Sequence, residues 1–294
     1  MAIVRGCLAI CFIVLNTIAC CIPIYLLAIP RAVVRVARVR LALAVAMTRI
    51  IDLWVAGNRC MLRGLQIARI ETQWRTAAPL QRDRWYVVIA NHQGWADILI
   101  LQDVFLGKVP PLKFFVKRQL IWVPLIGLAM WLLEFPYVRR YSREQLASNP
   151  ELRQHDQSAT LRACEHFEQQ PTSVLNFMEG TRFTTIKHQR QESKFRNLLL
   201  PKTGGFGYVV SALAERIDQV LDVTIVYPDG VPSFFAFLSG RARRIRVEVS
   251  TVNVPGAVLH GDALTTEARE QLRIWVDGLW ADKDERIEQL RAER

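Results

Sequence analysis

Trp85-Tyr86-Val87-Val88-Ile89-Ala90-Asn91-His92-Gln93-Gly94-Trp95-Ala96-Asp97 is the stretch on which the fold turns. Its first six residues form an apolar run rich in β-branched and aromatic side chains, as expected of a strand buried on both faces. A polar, glycine-bearing loop follows, and then a helix-like pattern over 96–105. Strand, loop and helix in that order make the repeating unit of α/β proteins, which gather ligands at the carboxyl ends of their strands.

The same alternation continues outward from this unit. Strands are expected at 85–90, 113–116, 135–138, 173–178, 222–227 and 244–251, and helices at 96–105, 118–133, 151–169, 207–216 and 265–292. Interleaved strands and helices argue an α/β domain over 77–294 with its sheet covered on both faces. The greasy Trp122–Leu133 stretch, WVPLIGLAMWLL, is too short to span a bilayer and is broken by Pro124 and Gly127. It reads as a core helix or as an apolar wall for a fatty chain. The polar stretch 187–196 reads as a surface loop, and 231–238, VPSFFAFL, as a loop or short helix that packs or dips into lipid.

Composition narrows the class. In 294 residues, 51% apolar and 22% charged side chains exclude a disordered or filamentous chain. The net charge of +11 is concentrated at one end, because residues 1–76 hold ten arginines against Asp52 and Glu71. A basic block beside an apolar one points to an anionic membrane surface. Nucleic acid is the competing partner, through Arg241, Arg243, Arg244 and Arg246, but no aromatic residues interleave with them. Six cysteines show neither a disulfide framework nor zinc-ligand spacing, so no metal is expected.

From Cys7 to Ile29 there are 23 residues without a charge, a helix of roughly 34 Å that reaches across a bilayer core. No small-residue cleavage site follows, so a retained anchor is expected over 1–76, with Pro23 and Pro30 kinking or stopping the helix. Beyond it, Arg31, Arg35, Arg38 and Arg49 share one narrow arc of a second helix, a basic stripe suited to the headgroup layer. One arginine before the apolar run and four soon after it put the bulk of the chain on the cytoplasmic face of the membrane. Crossing once, forming a hairpin and lying in one leaflet all stay open.

His92 and Asp97 are spaced so that a turn brings the carboxylate to one imidazole nitrogen, leaving the other to take a proton from a hydroxyl. Alone, this spacing is weak, and Asp97 would read as a helix cap. Three further strand ends carry polar residues. Tyr137-Val138-Arg139-Arg140 offers a phosphate contact. Glu179-Gly180-Thr181-Arg182 offers a glycine turn, a hydroxyl and a planar guanidinium fork, with Glu179 able to hold Arg182 or a substrate hydroxyl. Leu199-Leu200-Pro201-Lys202-Thr203-Gly204-Gly205-Phe206 is a loop before a helix. Backbone amides of 91–95 are candidate donors to an oxyanion.

The ordered set NHQGWAD, FPYVRR, FMEGTRFT and LLLPKTGGF resembles the four sequence blocks of the lysophosphatidic acid acyltransferase (PlsC-like) family over roughly 80–255. EGTRFT and YPDGVPSFFAFLSG are most similar to the branch of lysocardiolipin-type acyltransferases and their bacterial relatives. The resemblance implies the glycerolipid acyltransferase fold, a mixed sheet flanked by helices. It implies His92 as general base, Asp97 as its orienting partner, and Arg140, Glu179, Gly180, Thr181, Arg182 and Pro201 as substrate-binding residues. Arg139 and Pro136 depart from the family pattern. The implied reaction moves a fatty acyl group from acyl-CoA or acyl-carrier protein to the free hydroxyl of a lysophospholipid, above all lysophosphatidic acid, giving phosphatidic acid. It implies no further cofactor. Membrane lipids, the acceptor and the acyl donor are the expected partners, and nucleic acid is not. The competing expectations are remodelling of a lysophospholipid with a larger headgroup, and a catalytically silent membrane scaffold.

Overall fold

A computed structural model describes residues 1–138, 167, 170–259, 261 and 265–293. The elements run α1 (Ala2–Val33), α2 (Ala37–Gly64), β1 (Arg69–Arg75), β2 (Trp85–Ala90), α3 (Asp97–Phe105), β3 (Leu112–Phe114), β4 (Val116–Lys117), α4 (Ile126–Leu132), β5 (Tyr137–Val138), β6 (Ser173–Phe177), α5 (Thr185–Arg190), α6 (Thr203–Leu213), β7 (Ile217–Val226), α7 (Phe234–Leu238), β8 (Arg244–Val252), α8 (Gly256–Leu259) and α9 (Thr266–Ala292). Arg118–Trp122 is a 3₁₀ turn. The expected helix over 151–169 and the residues Arg139, Arg140 and Cys164 lie outside the described residues.

The main sheet has the strand order β1-β8-β7-β2-β6-β3. Every neighbouring pair is parallel except β7 with β8, so the sheet is mixed, as expected. Strand β2 is central, and its period-two alternation feeds two separate cores. Tyr86, Val88 and Ala90 pack with Ile100, Leu101 and Phe105 of α3. Val87 and Ile89 pack on the other face with Phe206 of α6 and Trp280 of α9. Both faces are covered because the strand is apolar at every position.

Several elements differ from the sequence expectation, each for a local reason. The edge strand β1, RIETQWR, was not foreseen, although Ile70, Thr72 and Trp74 alternate onto one face and Ile70 and Trp74 pack on the core; its parallel neighbour is β8. The stretch 113–116 divides between two sheets, with β3 beside β6 and β4 beside β5. The single helix expected over 118–133 breaks at Pro124, which fits neither the 3₁₀ turn nor α4. Inside the expected loop 187–196, the first residues instead finish α5, whose N-cap Thr184 accepts the Lys187 N–H.

Helix α1 continues through Pro23 and Pro30 rather than stopping there. The lost hydrogen bonds are tolerated in an apolar helix with packed neighbours. The chain breaks instead at 34–36, so Arg31 and Arg38 fall on different helices and the expected stripe is not continuous. Arg31 turns to the domain, where it pairs with Glu134 and donates to the Leu132 carbonyl at 3.2 Å.

Helices α1 and α2 form a hairpin. Asn16 Nδ2 donates to the Trp54 carbonyl at 2.8 Å, and Trp54 Nε1 donates to Thr17 Oγ1 at 3.0 Å. Gly57 makes this crossing possible, since a Cβ there would lie 2.7 Å from Asn16 Oδ1. Helix α1 also touches the α/β part of the chain at both ends. Gly6 lies against Ser239 and Phe235, while Arg31 meets 132–134. Its outer face, including Ile3, Leu8, Phe12, Leu15, Ile22 and Leu26, is exposed. The helix is long and apolar enough to cross a membrane and is a candidate anchor.

Candidate active site

His92 follows directly on β2, and Asp97 opens α3, so the turn between them folds the carboxylate back onto the ring. Asp97 Oδ2 lies 2.8 Å from His92 Nδ1 and also accepts the backbone N–H groups of Gln93 at 2.6 Å and Gly94 at 2.8 Å. Its other oxygen accepts the Tyr227 hydroxyl at 2.6 Å. The carboxylate is fully buried, and four donors compensate its charge. The His92 ring stacks on Phe177 with centroids 4.0 Å apart, which fixes the plane of the imidazole. Nδ1 is thereby committed to Asp97, and Nε2 is the nitrogen left for chemistry. Burial and the adjoining Asp97 carboxylate push the Tyr227 phenol up, which keeps it a protonated donor.

The third strand end reaches the same place through its main chain. Gly180 sits at φ 67°, a conformation in which a side chain is strained, and a Cβ there would meet Lys202 Cδ at 3.0 Å. The resulting turn brings Glu179 inward. Its carboxylate, fully buried, accepts the His92 N–H at 2.8 Å and the Leu199 N–H at 3.0 Å. Glu179 therefore neither holds Arg182 nor faces a substrate hydroxyl; it ties the His92 loop to the loop bearing Pro201. Burial pushes its carboxyl up to about 8, while the two N–H groups pull the other way.

Arg182 lies over the exposed Trp95 ring, 3.9 Å from the centroid. Lys187 donates to Thr181 Oγ1 at 2.8 Å and to the Arg182 carbonyl at 3.0 Å, clamping that turn. Partial burial and the positive Arg182 and Lys117 nearby hold the Lys187 ammonium below its ordinary value. These cations share one neighbourhood, and Glu179, the acid beside them, already spends both oxygens on backbone amides. Pro201 precedes Lys202, whose N–H bonds the Met178 carbonyl at 2.7 Å.

Three of the expected site residues, His92, Asp97 and Glu179, are thus linked by direct hydrogen bonds, and Thr181 and Arg182 stand on the turn after Glu179, joined to each other through Lys187. Arg140 lies outside the described residues. The amides of His92, Gln93 and Gly94 are spent on Glu179 and Asp97, which removes them as oxyanion donors. Sequence reasoning missed Tyr227, Lys187 and Asn91. Asn91 bridges β2 to β7 by bonding both the N–H and the carbonyl of Ile225. The signal for Tyr227 was present, since it ends a strand immediately before a Pro-Asp-Gly turn. Among the described residues no group of three or more His, Cys, Asp or Glu side chains is arranged to hold a metal ion.

Beside this cleft, α1, α2, α3 and α4 enclose an apolar cavity of about 170 Å³. Cys21, Ile24, Ile50, Ala129 and Phe135 line it, and Ile98, next to Asp97 in the chain, brings its wall to the His92–Asp97 turn.

Comparison with known proteins agrees with this fold. A family model described as Acyltransferase matches residues 71–228. A probable 1-acyl-sn-glycerol-3-phosphate acyltransferase 5 of Arabidopsis thaliana is 30% identical over 184 residues, 57% of this chain and 45% of that protein. Lysocardiolipin acyltransferase 1 of Mus musculus is 26% identical over 242 residues, 76% of this chain and 60% of that protein. The chain thus spans 45% and 60% of the length of these two curated relatives. The crystal structure of the 1-acyl-sn-glycerophosphate acyltransferase PlsC from Thermotoga maritima has the same fold, with a TM-score of 0.57 at 18% identity, over 100% of this chain and 99% of that one.

Proposed function

The chain belongs to the acyltransferase family, and from that premise we propose that it acylates the free glycerol hydroxyl of lysophosphatidic acid, using an acyl thioester as donor. The observation that carries this reading is the pairing of His92 with a buried, four-fold hydrogen-bonded Asp97, beside a group of cations whose nearby acid is already occupied.

In the proposed reaction His92 Nε2 takes the hydroxyl proton as the oxygen attacks the thioester carbonyl. Asp97 holds the reactive tautomer and stabilises the imidazolium without itself being protonated. The tetrahedral oxyanion collapses and expels the thiolate, which takes the proton back from His92. General-base help is worth roughly 10²–10⁴-fold, so holding both substrates in register supplies much of the remainder.

Acceptor choice follows from charge. Arg182, Lys187 and Lys117 together suit a phosphomonoester carrying close to two negative charges better than a singly charged diester. The apolar cavity suits the acyl chain of a substrate. The exposed Trp95, Trp122, Trp131 and Phe235, together with the outer face of α1, support a domain resting on one leaflet, and the arginines that follow the apolar run favour its cytoplasmic face. A helix touching its domain at both ends fits an in-plane position better than a perpendicular crossing.

The test is acyl transfer by the purified protein with one acyl-CoA and a panel of lysolipids. Preferential use of lysophosphatidic acid supports the reading. Preference for lysocardiolipin or another diester would move the protein to a remodelling role, and silence with both acyl-CoA and acyl-carrier-protein donors would favour a scaffold.

A further inference from the structure

A second cationic recess lies away from His92. A cleft of about 580 Å³ opens between the start of α1, the turn from α2 into β1 and the segment leading into β8. Arg5, Arg63, Arg69 and Arg243 line it, with Gln66 and Gly240 at its walls, and Asp103 is its one acid. That acid is already taken, because Asp103 pairs with Arg59. Arg69 has Glu71 at 3.3 Å and Arg5 donates to the Gln66 carbonyl at 3.4 Å, whereas Arg63 and Arg243 have no ion pair among the described residues. The close fit of Gly240 to Arg5, where a Cβ would fall 2.3 Å from Nη1, holds that guanidinium at the wall.

The position of the cleft says where its ligand comes from. Arg5 stands in the first turns of the apolar α1, flanked by exposed Ile3, Val4 and Leu8. A helix lying in a leaflet by that face brings Arg5 and the cleft to the depth of the headgroups. We propose that this cleft binds the phosphate of an anionic phospholipid, distinct from the acyl acceptor, and so fixes the rotation of the anchor at the membrane surface. Guanidinium forks supply the paired donors that phosphate oxygens take.

The experiment counts lipids retained by the full chain in neutral detergent, by native mass spectrometry, with phosphatidylglycerol or phosphatidylcholine added. Both arms carry Arg182→Ala, so that occupancy of the catalytic cleft is suppressed. We expect one phosphatidylglycerol retained in preference to phosphatidylcholine, and roughly 10–30-fold weaker retention in R63A/R243A, with only part of it recovered in R63K/R243K, which restores charge without the paired donors. Equal retention by R63A/R243A and its parent overturns the proposal. Displacement of the lipid by millimolar inorganic phosphate overturns it too, because the cleft would then be a site for soluble anions. Neither result depends on acyl transfer, so the catalytic assignment stands or falls separately.

Discussion

The Glu179 carboxylate accepts the backbone N–H of His92 at 2.8 Å, although the two residues are 87 positions apart. The side chain of one motif thus positions the main chain of another, while its second oxygen holds Leu199. The Leu199 carbonyl in turn accepts Trp280 Nε1 at 3.1 Å, so α9 closes the same network from beneath.

Above about pH 8, where Glu179 is ionised, replacing it with Gln keeps the shape but turns an N–H toward a backbone donor. The unpaired buried group costs about 1–3 kcal/mol. We expect kcat to fall at least about 10-fold with KM for the acceptor little changed, as befits a positioning residue. Steady-state kinetics on Glu179→Gln check this, and a change confined to KM would return Glu179 to substrate binding.

The same carboxyl gives a pH dependence. It rises from an ordinary 4.5 to about 8 on folding, so the folded chain holds its proton more tightly than the unfolded one. Its contribution to stability is complete below about 4.5 and is lost as pH rises through about 8. The Tm of wild type relative to Glu179→Gln should therefore decline across that window. A constant difference would mean that Glu179 does not titrate there.

Tyr227→Phe removes the donor to Asp97 Oδ1 and leaves a buried carboxylate short of one partner. We expect about 1–3 kcal/mol lower stability, read by denaturant unfolding, and a fall of about 10-fold in kcat. Asp97→Asn should cost roughly 10²–10⁴-fold, since the imidazole loses its tautomer-fixing partner.

Lys187→Ala frees the turn that carries Arg182 and removes one positive charge. The expected result is a KM for lysophosphatidic acid raised about 10-fold, with a smaller effect on a neutral acceptor. Kinetics with the two acceptors separate a loss of phosphate recognition from a general loss of folding, which would lower both equally.

Ala129→Leu intrudes on the apolar cavity. Donor preference should shift toward shorter acyl chains, measured as kcat/KM across an acyl-CoA series. An unchanged series would exclude the cavity as the acyl site.

How much of this was legible depended on whether the information was local. The strand β2 and its alternation were plain, because six consecutive apolar residues leave few other readings. The His92–Asp97 pair was only hinted at by its spacing, and the resemblance of the four motifs to a known family gave it its roles. Glu179 was found, but its partners were not, because a carboxylate on backbone amides leaves no trace in residue identity. Tyr227 acts across the fold, and Lys187, although its partners Thr181 and Arg182 are near in sequence, looks ordinary in the chain. The edge strand β1 escaped notice because charged and amide side chains alternate with Ile70, Thr72 and Trp74, which leaves only a short apolar face to read. The continuation of α1 through two prolines is likewise settled by packing and not by propensity.

The most direct measurement is acyl transfer to lysophosphatidic acid from acyl-CoA by wild type and His92→Ala, with vesicle binding recorded on the same samples. A His92 general base predicts that transfer falls by roughly 10²–10⁴-fold or more while vesicle binding persists. Equal transfer by the two proteins would contradict it.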